Sequence, residues 1–388
     1  MQRRWIILLV LFFARATMAF QFQSVAALSP LLIDSLLLTL VDIGLLVGLY
    51  LGPGVIVAIL GGTLSSRFGD KRTVSVSLVL MLIGSLLMAY SPNFSGLLAG
   101  RVIAGVGGVI VNVVMTKMVI DWFNDSNIAT AMAVFISSWP LGIATALLIL
   151  PMLAESGGLD LAWYALTALT VIALVLFVAV YSPPDGAIAG NVSLNIASLP
   201  WSPLVMAALV WGLYNTAFAM VFAFGSIILL ERGLDVASAS SMTSLFMIAG
   251  TLGVPAGGWL ADRIKRRDTI IAVGLLVGTM MFQATLYLPP SLLWVMLGLT
   301  GFIFGLSAGP IVSLAAYILG PSTRAFGMGI FYSIYYLLMM LAPPLAGSLA
   351  DFFDNVNVVF GLGTVMLLIA LLALVGFRLC ASAAHSTD

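Results

Sequence analysis

Gly61-Gly62-Thr63-Leu64-Ser65-Ser66-Arg67-Phe68-Gly69-Asp70-Lys71-Arg72 is a short polar island between two long apolar runs, and it recurs as Gly257-Gly258-Trp259-Leu260-Ala261-Asp262-Arg263-Ile264-Lys265-Arg266-Arg267. A shift of 196 residues lays Gly61 on Gly257, Gly62 on Gly258, Arg67 on Arg263 and Lys71 on Arg267 without a gap. The same shift pairs Gly54 with Gly250, Gly105 with Gly301 and Phe135 with Phe331. Small residues and a basic turn that match over this distance point to two copies of one membrane unit. One copy alone would read as a plain basic loop between helices.

Composition agrees with a membrane chain. Of 388 residues, 62% are hydrophobic and 8% charged, with a mean hydropathy of +1.18. No single soluble core hides that much apolar surface, so repeated spans of about 20 apolar residues are the economical solution, with the lipid bilayer as partner. The formal net charge is zero, which gives no electrostatic case for nucleic acid. One cysteine, Cys380, and one histidine, His385, lie in the last nine residues. That excludes a disulfide framework and a metal site built on Cys/His pairs. It also leaves the membrane interior without a His base or a Cys nucleophile, so an enzyme is not expected, and neither is a cofactor.

Apolar runs and their polar breaks give spans at about 5–27, 40–65, 73–91, 96–120, 129–152 and 161–181, then 203–230, 237–260, 270–288, 293–318, 326–349 and 357–378. The charged start Met1-Gln2-Arg3-Arg4 before an apolar run also fits a secretory signal. Removing that run would leave an odd number of spans and spoil the repeat, so it reads as the first span. The expected organisation is an all-α polytopic protein of twelve helices: a six-helix half over 1–181, a linker over 182–202 carrying Pro183-Pro184, a second half over 203–378 and a tail over 379–388. Alternate loops collect Arg3, Arg4, Arg67, Lys71, Arg72, Arg263, Lys265, Arg266, Arg267, Arg324 and Arg378, eleven of the fifteen basic residues. The opposite set holds Arg232 beside Asp34, Glu155, Asp160, Glu231, Asp235, Asp351 and Asp354. By the excess of positive charge on the inner side, both termini, the linker and the tail are expected in the cytoplasm, with a bacterial inner membrane as the location and a monomer as the working unit.

The polar islands resemble the Gly-x-x-x-Asp-Arg-x-Gly-Arg-Lys/Arg-Arg loop of the major facilitator superfamily, and the resemblance covers nearly the whole chain. It implies the major facilitator fold, two pseudo-symmetric six-helix halves, and transport by alternating access. In the family this loop latches one side of the protein to a neighbouring helix end, which implies latch roles for Gly62, Arg67, Gly69, Asp262 and Arg263. The first copy departs from the pattern with Ser66 in place of the Asp and Asp70 in place of a basic residue, and the second has Lys265 in place of the Gly. If Asp262 is the remaining latch carboxylate, Asp262→Asn matters and Ser66→Ala does not. Within the superfamily, Gly48-Leu49-Tyr50-Leu51-Gly52-Pro53-Gly54 and Thr116-Lys117-Met118-Val119-Ile120-Asp121-Trp122-Phe123 look most like the cyanate, nitrate and nitrite type of carrier.

Three basic residues remain once the loops are counted: Arg15, Arg101 and Lys117. No Asp or Glu lies deep in a span, Asp42 being at the outer edge of the second. A buried guanidinium is costly unless partnered or wet, and with no buried carboxylate to neutralise it a bound anion is the natural counter-charge. Arg15 lies about 15 Å along its helix, near midplane where carriers bind substrate, and is expected to contact the anion, with structural hydrogen bonding as the bland alternative. Arg101, in a segment similar to the family's fourth-helix Arg-x-x-x-Gly-x-Gly motif, either contacts substrate or bonds neighbouring carbonyls. Asn112 sits about 20° round the helix from Arg101 and shares its face. Lys117 is expected to snorkel and pair with Asp121.

In the second half the shift sets Trp211 opposite Arg15. Trp211, Tyr214, Asn215, Phe218 and Phe222 on span seven, and Tyr332, Tyr335, Tyr336 and Met339 on span eleven, recur at helical spacing. Such stripes are either packing or a cavity wall, in which case Tyr214, Asn215, Tyr332 and Tyr336 would offer hydroxyl and amide groups to an anion. Trp139-Pro140 and Pro343-Pro344 are expected to bend their helices. The expected function is a secondary transporter for a small anion, whether inorganic oxyanion, cyanate-like ion or small carboxylate. An efflux carrier for hydrophobic compounds and a transport-inactive sensor of the same fold are the alternatives.

Overall fold

The computed structural model describes the backbone of residues 2–91, 93–123, 128–183, 199–264, 266–319 and 324–385. Side chains are described in these stretches except at 2, 59–63, 66, 120, 128–130, 132–133, 262, 281–282, 290, 316, 324–326 and 382–385. The chain divides into two compact units, Met1–Asn191 and Val192–Asp388. The division falls inside the expected linker, most of which (184–198) lies outside the described residues.

Unit 1 holds α1 (Gln2–Ala27), α2 (Ser29–Leu36), α3 (Leu40–Leu51), α4 (Gly54–Phe68), α5 (Asp70–Tyr90), α6 (Phe94–Phe123) and α7 (Ile128–Val180). Unit 2 holds α8 (Trp201–Glu231), α9 (Val236–Ile264), α10 (Arg267–Tyr287), α11 (Pro290–Ile318), α12 (Arg324–Phe353) and α13 (Val358–His385). Helix is what these apolar runs must form, because only a helix bonds every backbone N–H and C=O within its own segment when no water is near. Eleven stretches among the described residues are long and apolar enough to cross a membrane. One of them, Val134–Val180, carries two crossings, since α7 breaks at Gly157 and at Gly158, whose φ of +78° is a left-handed value that favours glycine. The total is twelve, as the apolar pattern predicts.

Three local features differ from the sequence expectation. The second span is not continuous: α3 ends at Leu51 and α4 begins at Gly54, because Pro53 has no N–H for the carbonyl one turn before it. The segment before α3 folds into α2, with a proline in its first turn. The expected tail at 379–388 is helical as far as His385, as the end of α13. Asp42 completes a capping box with Thr39, whose N–H donates to Asp42 Oδ2 at 2.9 Å while the Asp42 N–H donates to Thr39 Oγ1 at 3.2 Å. The carboxylate is thereby committed to a helix end.

The repeat survives as atomic contacts. A Cβ built on Gly105 would lie 2.0 Å from the Tyr50 carbonyl oxygen, and one built on Gly301 would lie 2.0 Å from that of Phe246. Shifting by 196 residues lays Tyr50 on Phe246 as it lays Gly105 on Gly301, so each unit brings two helices together at the same bare backbone position. Gly105→Val or Gly301→Val should force these helices apart, with the melting temperature falling by on the order of 5 °C or more. A thermal melt of either variant at the parental temperature would contradict this packing.

Candidate substrate site

Arg15 is the hub of unit 1. Its Nε donates to Asn112 Oδ1 at 2.9 Å, and its Nη1 donates to the carbonyls of Phe135 at 2.9 Å and Ile136 at 3.0 Å and to Ser138 Oγ at 3.2 Å. The local sequence of α7 creates part of this seat. Pro140 has no N–H, so the Ile136 carbonyl lacks its helical donor and is left for Arg15. Ser138 in turn donates its hydroxyl to the Phe135 carbonyl. Two rings flank the guanidinium, whose carbon lies 4.7 Å from the centroid of Phe135 and 5.9 Å from that of Trp139. Arg15 is half-buried, so a planar guanidinium fork is held in a low-dielectric wall among two carbonyls, an amide and a hydroxyl. Such a group can receive a carboxylate or oxyanion.

Arg101 is spent differently. It is 0% exposed, with Nε on the Leu46 carbonyl at 2.7 Å, Nη1 on that of Gln21 at 2.8 Å and Nη2 on that of Phe22 at 2.8 Å. Its guanidinium carbon sits 4.5 Å from the Tyr50 ring centroid. This arrangement ties α1 and α3 to α6, and of the two roles open to Arg101 it matches the bonding of neighbouring carbonyls. Arg101 and Asn112 share a face of α6 but stand at different heights. Eleven residues separate them by about 16 Å along the axis, and Asn112 meets Arg15 instead. Gln21 joins the same packed layer, its Nε2 donating to the Met81 carbonyl and Ser85 while its Oε1 accepts from Tyr50.

In unit 2 the two aromatic stripes meet. Trp211 stacks with Tyr214 at a centroid distance of 5.8 Å and with Phe331 at 6.4 Å, and Tyr335 lies 4.9 Å from Tyr336. Tyr332 contacts Phe331, Tyr335 and Tyr336. Tyr214 is 4% exposed and donates its hydroxyl to the Phe304 carbonyl at 2.5 Å, while Asn215 Nδ2 donates back to the Trp211 carbonyl at 2.7 Å. Tyr214 and Asn215, two of the four residues expected to face an anion, are thus engaged with backbone. Pro343 and Pro344 lie inside α12 as Pro140 lies inside α7.

At the basic end of unit 1, Lys117 Nζ pairs with Asp121 Oδ2 at 2.9 Å, as its i,i+4 spacing predicts, and also with Asp70 Oδ2 at 2.9 Å. Asp70, which also accepts from Ser65, is the carboxylate that sequence reasoning passed over because it stands where a basic residue was expected. It fastens the α4–α5 turn to α6. Gly69 makes that turn with a φ of +81°. Arg67 lies over Phe68 and Arg263 over Trp259. The side-chain positions at 62, 66 and 262 are outside what the structure describes, and with them the expected Asp262 latch.

Comparison with known proteins places this geometry. The profile described as Major Facilitator Superfamily matches residues 11–230 and 204–386. A hexuronate transporter of Bacillus subtilis (strain 168) is 27% identical over 274 residues, which are 67% of this chain and 65% of that protein, just under two thirds of its length. The uncharacterized transporter YycB of the same organism is 25% identical over 336 residues, 79% of this chain and 77% of that protein. Among solved structures, a bacterial homolog of the human lysosomal transporter Spinster, in an inward-facing and occupied conformation, superposes with a TM-score of 0.77 at 16% identity, covering 98% of this chain and 97% of that one. That last likeness bears on the fold alone.

Proposed function

The chain belongs to the Major Facilitator Superfamily and is a multi-pass membrane transporter, and on that premise we propose that it carries a small anion by alternating access, with Arg15 as the main contact. The observation that carries this is a half-buried guanidinium oriented by the neutral groups of Asn112, Ser138 and two α7 carbonyls. Carbonyls and amides orient a cation without neutralising it, and such a seat suits a guanidinium that meets an anion. The likeness to a hexuronate transporter favours a carboxylate over the cyanate, nitrate and nitrite end of the range. An efflux carrier for hydrophobic compounds would make use of the aromatic cluster of unit 2 but would leave Arg15 without a task. Transport is proposed to run by exchange or facilitated uptake, because Asp42 is committed to its helix cap and Asp70 and Asp121 to Lys117. Uptake driven by a pH gradient alone and lost in Asp42→Asn would overturn that coupling scheme.

Ligand-induced stabilisation tests the substrate class. A ligand that binds only the folded protein raises its melting temperature by mass action. D-glucuronate, acetate, nitrate and cyanate, each titrated as the sodium salt against sodium chloride, should include at least one anion that stabilises the purified protein saturably. Equal melting in all four would defeat the proposal.

A further inference from the structure

Trp211 occupies in unit 2 the place that Arg15 occupies in unit 1. The 196-residue shift that aligns the two also lays Phe135 on Phe331 and Trp139 on Tyr335. The same neighbours recur in space: Arg15 lies over Phe135 and Trp139, and Trp211 lies against Phe331 and Tyr335 at centroid distances of 6.4 Å and 6.0 Å. The small residue that permits the close approach changes sides. In unit 1 a Cβ on Gly142 would lie 2.3 Å from the Ala16 carbonyl oxygen, whereas in unit 2 a Cβ on Gly212 would lie 2.3 Å from Leu338 Cδ1. Ala16 aligns with Gly212 and Gly142 with Leu338, so both seams are one packing solution with the glycine exchanged between partners.

The acceptors, however, are missing from the second copy. Asn112 aligns with Ala308 and Ser138 with Ile334, both without a polar side chain, and Pro140 aligns with Tyr336. Because Tyr336 has an N–H, the Tyr332 carbonyl keeps its helical donor, where Pro140 frees the equivalent Ile136 carbonyl. The consequence is visible at Trp211, whose indole Nε1 is buried and has no hydrogen-bond partner among the described residues. A buried donor left unpaired costs stability, and a phenyl ring would pack the same seam without that cost. An indole here makes sense if the N–H is satisfied by something that comes and goes.

We propose that Trp211 is a substrate-binding residue whose indole N–H donates a hydrogen bond to an oxygen of the transported carboxylate or oxyanion, a role that rests on anion transport as proposed above. Indole is a donor only, so it selects for an acceptor atom and adds no charge.

The test is a melting-temperature titration of the full-length protein with D-glucuronate, acetate, nitrate and cyanate, run on the parent, Trp211→Phe, Trp211→His and Arg15→Gln. Trp211→Phe should leave the ligand-free melting temperature unchanged within about 2 °C and raise the apparent Kd of the tightest anion about fivefold, as loss of one neutral donor implies. Trp211→His, which restores a ring N–H, should recover part of that affinity. Parental affinity in Trp211→Phe overturns the proposal, and if Arg15→Gln still loses binding in the same experiment, anion carriage stands without it. A lower ligand-free melting temperature in both Trp211 variants also overturns it, by assigning the indole to packing. Parental affinity in Arg15→Gln as well, or no stabilisation of the parent by any of the four anions, removes both ideas.

Discussion

Arg15→Gln should cut anion affinity by roughly tenfold to hundredfold while the protein reaches the membrane in normal amounts. The size follows from the loss of one charge-assisted contact, worth about 1.5 to 3 kcal/mol. Normal expression follows from the geometry of the seat. Asn112, Ser138 and the two carbonyls form part of a half-buried wall, and a glutamine amide can still donate to some of them. Arg15→Lys should be intermediate, because a compact ammonium keeps the charge but cannot reproduce a planar fork that bonds Asn112 through Nε and the α7 carbonyls through Nη1. Equilibrium binding of the tightest anion to the purified variants measures this. If Arg15→Gln instead vanishes from the membrane, Arg15 is a helix tie and the anion contact lies elsewhere.

Arg101→Ala should show the opposite pattern. Its three nitrogens hold carbonyls on α1 and α3 from a position on α6 that is 0% exposed. Truncation removes three charge-assisted bonds and leaves a cavity against Tyr50 at the centre of the unit. Expression should collapse, or the ligand-free melting temperature should fall by on the order of 5–10 °C. Whatever protein survives should bind anions with parental affinity. Arg101→Lys should rescue little, since one ammonium cannot reach carbonyls spread over two helices. A stable Arg101→Ala with weakened anion binding would reverse the roles assigned to the two arginines.

The contrast between these arginines marks where the sequence stops being legible. Twelve spans and the repeat could be read from apolar runs and from residues such as Gly105 and Gly301, because lipid leaves the backbone one option and close helix approach leaves the side chain one option. That both arginines face protein also followed from the cost of burying charge. Which one has all three guanidinium nitrogens on backbone carbonyls did not, because carbonyl partners come from the backbone and leave no trace in residue identity. The pairing of Asn112 with Arg15 was missed for a related reason. Angular position on a helix says which face a residue shares, but not which neighbouring helix fills that face at its height. Pro140 was legible as a bend, and its freed carbonyl as a seat for Arg15 needed the structure. Asp70 was masked by comparison with a family pattern that has a basic residue there, though its carboxylate could have been matched to Lys117 by charge alone. The orphaned indole of Trp211 did have a sequence signal, since the shift that sets it on Arg15 also sets Ala308 on Asn112 and Ile334 on Ser138.

The most direct measurement of anion carriage through Arg15 is uptake of labelled anion into liposomes that contain the purified protein, with parent and Arg15→Gln reconstituted at equal density. The tightest-binding member of the anion panel should enter parent liposomes faster than empty ones, saturate with concentration, and be held off by the unlabelled anion. Arg15→Gln liposomes should fall to the rate of empty ones at the same concentration. Saturable uptake of equal rate in the two proteins would contradict the central role of Arg15, and uptake by the parent no faster than by empty liposomes would contradict anion transport itself.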